Sequence, residues 1–187
     1  MNRRLHVCLT TLILAAWCAP AAPPAAPPAK PAAEAFAGLR LGSDTLKEIE
    51  KRVTRREELV GPGKATVEPE ENLRAQTYRY TGSFDRDRYV TSTMLYFSSK
   101  GELAGYDLFL KGRSTYERYG RELARQFTKT AEDRYEGELA DGAFKGAKVT
   151  ATLTAIGGGK SGYKSYQVEV RCLDILRQDK AASGAGD

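Results

Sequence analysis

The chain has 187 residues, 28% of them charged, with a formal net charge of +5, one His, one Trp and three Cys. The cation excess is modest and forms no concentrated basic stripe, which argues against a nucleic-acid partner. The apolar stretch from Val7 to Trp17 spans eleven residues, short of the roughly 20 that a membrane-crossing helix needs.

That stretch has the length of a signal-peptide core. Arg3-Arg4 precede it and Ala19-Pro20-Ala21 follow it, the pattern of a bacterial signal peptide over 1–21 with cleavage before Ala22. An alternative makes Cys18 a lipidated N-terminus, although Trp17 stands where that processing takes a small residue. The expected location is therefore periplasmic or secreted, or a membrane-anchored lipoprotein if Cys18 carries lipid. Cleavage removes His6, Trp17, Cys8 and Cys18 and lowers the net charge to +3. A Ser-His-Asp or Cys-His arrangement then lacks its base, a structural zinc site lacks ligands, and Cys172 has no disulfide partner. No catalytic residue, metal or cofactor is expected.

Residues 22–35 form an Ala/Pro-rich linker: six of the eight prolines lie between Pro20 and Pro31, which favours an extended, semi-rigid spacer. Residues 36–178 make one domain, and 179–187, rich in Ala, Ser and Gly, are expected to be a disordered tail. Leu46, Ile49 and Val53 repeat at helical spacing, and Thr45 with Glu48 forms a capping box, which predicts a helix over about 44–55. Ala75 to Thr81 reads as a strand. Tyr89 to Ser98 and Glu102 to Lys111 flank Ser99-Lys100-Gly101 as a hairpin. Ser114 with Glu117 reads as a second capping box, followed by Tyr116, Leu123, Ala124 and Phe127 on one helical stripe up to about Asp133. Lys148 to Ile156 and Tyr163 to Leu173 alternate with period two as two closing strands. Cys172 falls on the apolar face of the second and reads as a small core hydrophobe. The fold class expected is α+β: a mainly antiparallel sheet with two helices on one face, in the order helix, strands, helix, strands.

Gly159-Lys160-Ser161 has the ending of a phosphate-binding loop. The first glycine of that motif would fall at Thr154, however, and the run after it alternates as a strand, not a helix. Residues 157–162 are expected to be the turn of the last hairpin, and no nucleotide is expected.

The loop from Thr81 to Tyr89 brings Phe84, Arg86, Arg88 and Tyr89 together, and aromatic and Arg side chains commonly carry binding surfaces. A solvated loop with one hydrophobe folded back is the alternative. Asp85-x-Asp87 departs from EF-hand spacing and lacks its glycine. The carboxylates of Glu68-Pro69-Glu70-Glu71 are abundant, but a loop cannot place two of them across a cleft. Arg118, Arg121 and Arg125 line one side of the second helix, either as a solvated face or as a site for an anionic partner.

The run Leu41-Gly42-Ser43 opening a short helix, then Tyr78-x-Tyr80, then Leu95-x-Phe97-x-x-x-Gly101-x-Leu103, resembles the helix-plus-hairpin module of BamE-like outer-membrane assembly lipoproteins and of β-lactamase-inhibitor-protein modules. The resemblance covers about 65 residues and implies a noncatalytic module that binds protein partners. The functional expectation is an exported envelope binding module, an inhibitor or assembly factor. Its partner would be an envelope protein or an anionic envelope component. A carboxylate-dependent periplasmic hydrolase and a membrane-tethered scaffold stand as alternatives.

Overall fold

The structure, a computed structural model, describes residues 31–32, 35–53, 55, 58–157 and 165–184. The segment expected to be a signal peptide, Cys18, most of the expected linker and the 158–162 part of the glycine-rich loop lie outside the described residues.

The elements in chain order are β1 (Pro31–Ala32), α1 (Leu46–Arg52), β2 (Leu59–Glu68), β3 (Leu73–Tyr80), β4 (Val90–Phe97), β5 (Leu103–Lys111), α2 (Arg113–Gln126), β6 (Thr128–Ala131), β7 (Arg134–Leu139), β8 (Lys148–Ile156), β9 (Ser165–Arg171) and α3 (Leu173–Gly184). All nine strands join one sheet in the order β1-β7-β8-β9-β5-β4-β3-β2, with β6 also paired to β7. Every pairing is antiparallel except that of β1 with β7. The last strand, β9, is inserted between β5 and β8, so the sheet centre joins the two halves of the chain.

This corrects the expected order of helix, strands, helix, strands with two helices on one face. Among the described residues three helices are present, and four strands, β1, β2, β6 and β7, stand where none was expected. β2 is hidden in the sequence by Gly61-Pro62-Gly63, a turn-like run, yet pairing with β3 from Leu59↔Tyr80 to Glu68↔Leu73 holds it extended. α2 stops at Gln126, not near Asp133: Phe127 is extended and its N–H caps Leu123 O at 2.8 Å. The β-branched Thr128 and Thr130 then favour the hairpin β6–β7 over a helix. α2 also starts differently, after Gly112 at φ 88° with no side-chain cap, and Glu117 pairs with Arg113 instead. α3 reaches Gly184, into the stretch expected to fray, because Ile175 and Leu176 are buried.

α1 carries its capping box, with both Thr45–Glu48 hydrogen bonds formed. One face of the sheet packs Leu95, Tyr106, Leu108, Val168, Val170 and Leu153 into the core; each such buried side chain contributes about 1.5–3 kcal/mol. Covering them are α2, through Tyr119 and Leu123, and the segment around Phe36, whose ring meets Tyr119 edge-on at 5.8 Å. The buried Tyr106 hydroxyl donates to Phe36 O. Cys172 is fully buried, and burial pushes its thiol up to about 11, which leaves it inert as a nucleophile. α3 crosses one end of the sheet: Asp179 accepts from Ser99 in the β4–β5 turn, and Arg177 grips Glu71 in the β2–β3 turn.

Alternate residues of the same strands point the other way. On β4, β5, β8 and β9 these are Ser92, Met94 and Tyr96; Gly105, Asp107, Phe109 and Lys111; Lys148, Thr150, Thr152, Thr154 and Ile156; and Ser165, Gln167, Glu169 and Arg171. Most are half-exposed, unlike the buried set on the first face. Among the described residues this face is bare.

Candidate functional site

The loop between β3 and β4 is built by its own aspartates. Asp85 accepts from the Ser83 hydroxyl and from Asp87 N at 3.1 Å, and Asp87 accepts from Tyr89 N at 3.0 Å. Such local bonds from Asp to backbone N–H are the ordinary way this residue type closes a turn. Arg86 takes φ 62° within it. Thr93 ties the loop to β4 by donating to Gly82 O.

α2 clamps this loop from above. Arg118 forms an ion pair with Asp87 and lies over the Tyr119 ring, 5.1 Å from its centroid. The Tyr119 hydroxyl donates to Asp87 at 3.2 Å. Burial opposes the charge on Asp87, but the Tyr89 N–H and the Arg118 guanidinium outweigh it and hold the carboxyl below its usual range. Burial, followed by the charges of Asp85 and Asp87, pushes the Tyr119 hydroxyl well above a normal phenol.

Against this geometry the expected binding residues separate. Phe84 turns inward: its ring packs on Tyr80 at 4.5 Å and under Arg52 at 5.1 Å, and its backbone abuts Gly38 so closely that a Cβ there would sit 2.9 Å away. It holds the loop while staying partly exposed. Arg86, Arg88 and Tyr89 remain exposed, with Arg88 stacked over Tyr89 at 4.9 Å and donating to its hydroxyl. The arginine row of α2 also divides. Arg118 is matched by Asp87 and Arg125 by Glu122, whereas Arg121 is exposed and makes no ion pair among the described residues. Two of three cations thus carry an internal counter-charge.

A second polar group lies on the bare face of the sheet. Asp107 of β5 accepts from the Tyr96 hydroxyl at 2.7 Å and forms an ion pair with Arg171 of β9. The Arg171 guanidinium lies 4.2 Å from the Tyr96 ring centroid and also donates to Tyr106 O and Val170 O. Its path runs over Gly105, where a Cβ would come within 2.7 Å of Arg171 Cδ and 2.8 Å of Val170 O. The glycine is what admits the side chain. Asp107 is 6% exposed and Arg171 15%. Burial and the neighbouring Asp107 charge push the Tyr96 hydroxyl up strongly.

Directly opposite Asp107, in register on β9, stands Glu169. Burial and Asp107 both raise its carboxyl above the ordinary value, and Arg171 only partly offsets them. The sequence held a signal for this group: Asp107 is the lone charge in the apolar run Leu103–Leu110, and Glu169 and Arg171 alternate with Val168 and Val170. By contrast Glu71 of the acidic loop is occupied by Arg177.

No protein-family model, curated protein or solved structure matches this chain. Among the described residues no cluster of three or more His, Cys, Asp or Glu is placed to hold a metal, and no helix is long and apolar enough to cross a membrane.

Proposed function

We propose that this chain is a noncatalytic binding module of the bacterial envelope, an inhibitor or assembly factor in kind, that docks a protein partner through the bare face of its sheet. The observation that carries this reading is the composition of that face. Over β4, β5, β8 and β9 the middle of that face holds Met94, Tyr96, Phe109, Asp107, Glu169 and Arg171 among Ser, Thr, Gly and Gln, and its two lysines, Lys111 and Lys148, stand at strand ends. Interface centres are enriched in aromatic residues, Met and Arg and depleted in Lys, whereas a solvated sheet face usually carries scattered charge. The resemblance of the Leu41–Leu103 region to envelope modules that bind proteins adds to this reading, and the signal-peptide pattern supplies the compartment. An anionic partner has less support, because Arg118 and Arg125 are already paired.

The test is capture from an envelope extract with three forms of the chain. Wild type and Arg86→Ala/Tyr89→Ala should retain a stoichiometric partner, and Met94→Lys/Thr152→Lys should lose it. Equal retention by all three would remove the bare face from the account. Mass spectrometry of the mature N-terminus separates a free Ala22 from a lipidated Cys18, and so a soluble module from a tethered scaffold.

A second reading, a carboxylate-dependent hydrolase, draws on the facing pair Asp107 and Glu169. General acid–base work needs two carboxyl groups whose environments set them apart. Turnover of a glycan, ester or peptide that disappears in Glu169→Gln would favour it.

A further inference from the structure

We infer that Glu169 is the recognition point of the bare face, and that the partner it fits is a protein segment presenting one Arg or Lys side chain amid apolar groups. This rests on the reading that the bare face docks a protein.

The argument begins with which charges are matched. Asp107 already holds the Tyr96 hydroxyl and the Arg171 guanidinium. Arg171 also turns its Nη1 to two backbone carbonyls, Tyr106 O and Val170 O. Arg134, in the same cross-strand row beyond Thr152, lies beside Glu136 at 3.8 Å. Glu169 makes no hydrogen bond or ion pair among the described residues, although it is half-buried and faces Asp107. Like charges directly opposite on antiparallel strands destabilise the pair, and partial removal from water without a partner adds to the cost. The free chain therefore carries an unpaired carboxylate near the middle of the bare face, with the cations Arg79, Lys111, Arg134 and Lys148 kept to its edges.

The surroundings define what relieves it. Asp107, Glu169 and Arg171 together carry a net negative charge, within a chain whose net charge is +5. Met94 is the cross-strand partner of Asp107 on its other side. Phe109 is the partner of Gln167 one step along the same face. A Lys or Arg from a partner can lay its aliphatic stem along such apolar groups while its charged end meets a carboxylate. A carboxylate-bearing partner would be repelled at this spot, so the same residue also rejects acidic surfaces.

The probe is a phage-displayed random peptide library selected on the immobilised full chain. Enriched sequences should carry Arg or Lys next to apolar residues, and a synthetic peptide of that sequence should shift amide resonances within 92–96, 105–109 and 167–171. Glu169→Gln should weaken that peptide by about tenfold or more, the scale of losing one charge pair in a largely desolvated contact. Replacing the basic residue of the peptide by norleucine should weaken it similarly, and the two losses should not add. Glu169→Gln removes a like-charge contact, so the variant should fold, with wild-type circular dichroism as the check. Binding on the face that ignores both changes overturns this inference and leaves the face as a docking site. Peptides that shift only residues 81–89, or self-association of the chain through the face in sedimentation, overturn both.

Discussion

Two groups in this molecule contain the same three residue types and serve different ends. Asp87, Arg118 and Tyr119 fasten a loop to a helix; Asp107, Arg171 and Tyr96 lie across neighbouring strands on the bare face. In each the guanidinium sits over the tyrosine ring, at 5.1 Å and 4.2 Å, and the tyrosine hydroxyl donates to the aspartate, at 3.2 Å and 2.7 Å. Arg118 is 52% exposed and Arg171 15%. In the first group Arg118 matches Asp87, and the further carboxylate of Asp85 is held by the Ser83 hydroxyl and Asp87 N–H, so the group closes the chain on itself. The second has Glu169 in excess. A matched cluster explains itself as structure, whereas an unmatched charge in a surface of Thr, Met and aromatic residues points to something outside the chain.

The comparison breaks most visibly at Arg171. Arg171→Met should cost about 3–5 kcal/mol in urea unfolding, because it leaves the buried Asp107 without its counter-charge. Asp87→Ala should cost less, about 1–2 kcal/mol, since the half-exposed Arg118 is screened by solvent and can find water in place of its partner. The same variant should speed proteolysis within 81–89, as the loop loses its clamp. Glu169→Gln should stabilise the fold at neutral pH by about 0.5–1 kcal/mol, the scale of one cross-strand pair.

The pH dependence of these last two differs in sign. The lowered carboxyl of Asp87 contributes stability that is present above the ordinary 3.8 and is lost as the pH falls through its lower folded value. The advantage of wild type over Asp87→Ala should therefore close in acid. The raised carboxyl of Glu169 works in reverse: its favourable contribution is fully present below the ordinary 4.5 and is lost as the pH rises through the raised folded value. The advantage of Glu169→Gln over wild type should thus vanish as the pH drops below 4.5. Thermal melts across pH 3–7 check both. The smallest effect belongs to Arg121→Ala, exposed and without an ion pair among the described residues, which should stay within about 0.5 kcal/mol of wild type.

Local signals in the sequence were legible where local chemistry decides the structure. Thr45 and Glu48 set the start of α1, and Gly101 at φ 81° turns the β4–β5 hairpin. The alternating Thr and apolar residues of Lys148–Ile156 form β8 as read. What was missed depends on distant partners. β2 looks like a turn until β3 holds it, the Ser114–Glu117 pattern yields to a start at Gly112, and α3 forms because the sheet end offers Ile175 and Leu176 a place to be buried. The site divides along the same line. Arg86, Arg88 and Tyr89 are exposed in their loop, whereas Phe84 is partly buried against Tyr80 and Arg52. The Asp107–Glu169 opposition could not be read at all, because it requires the pairing of β5 with β9, some 60 residues apart in sequence.

The central claim, that the bare face and not the loop meets the partner, can be tested by hydroxyl-radical footprinting of the chain alone and in complex with the protein it captures. Met94, Tyr96 and Phe109 are reactive, half-exposed reporters on the face, and Tyr89, 43% exposed, reports on the loop. The account predicts that complex formation protects Met94 and Tyr96 from oxidation while Tyr89 stays as reactive as in the free chain. Protection of Tyr89 with Met94 and Tyr96 unchanged would contradict it.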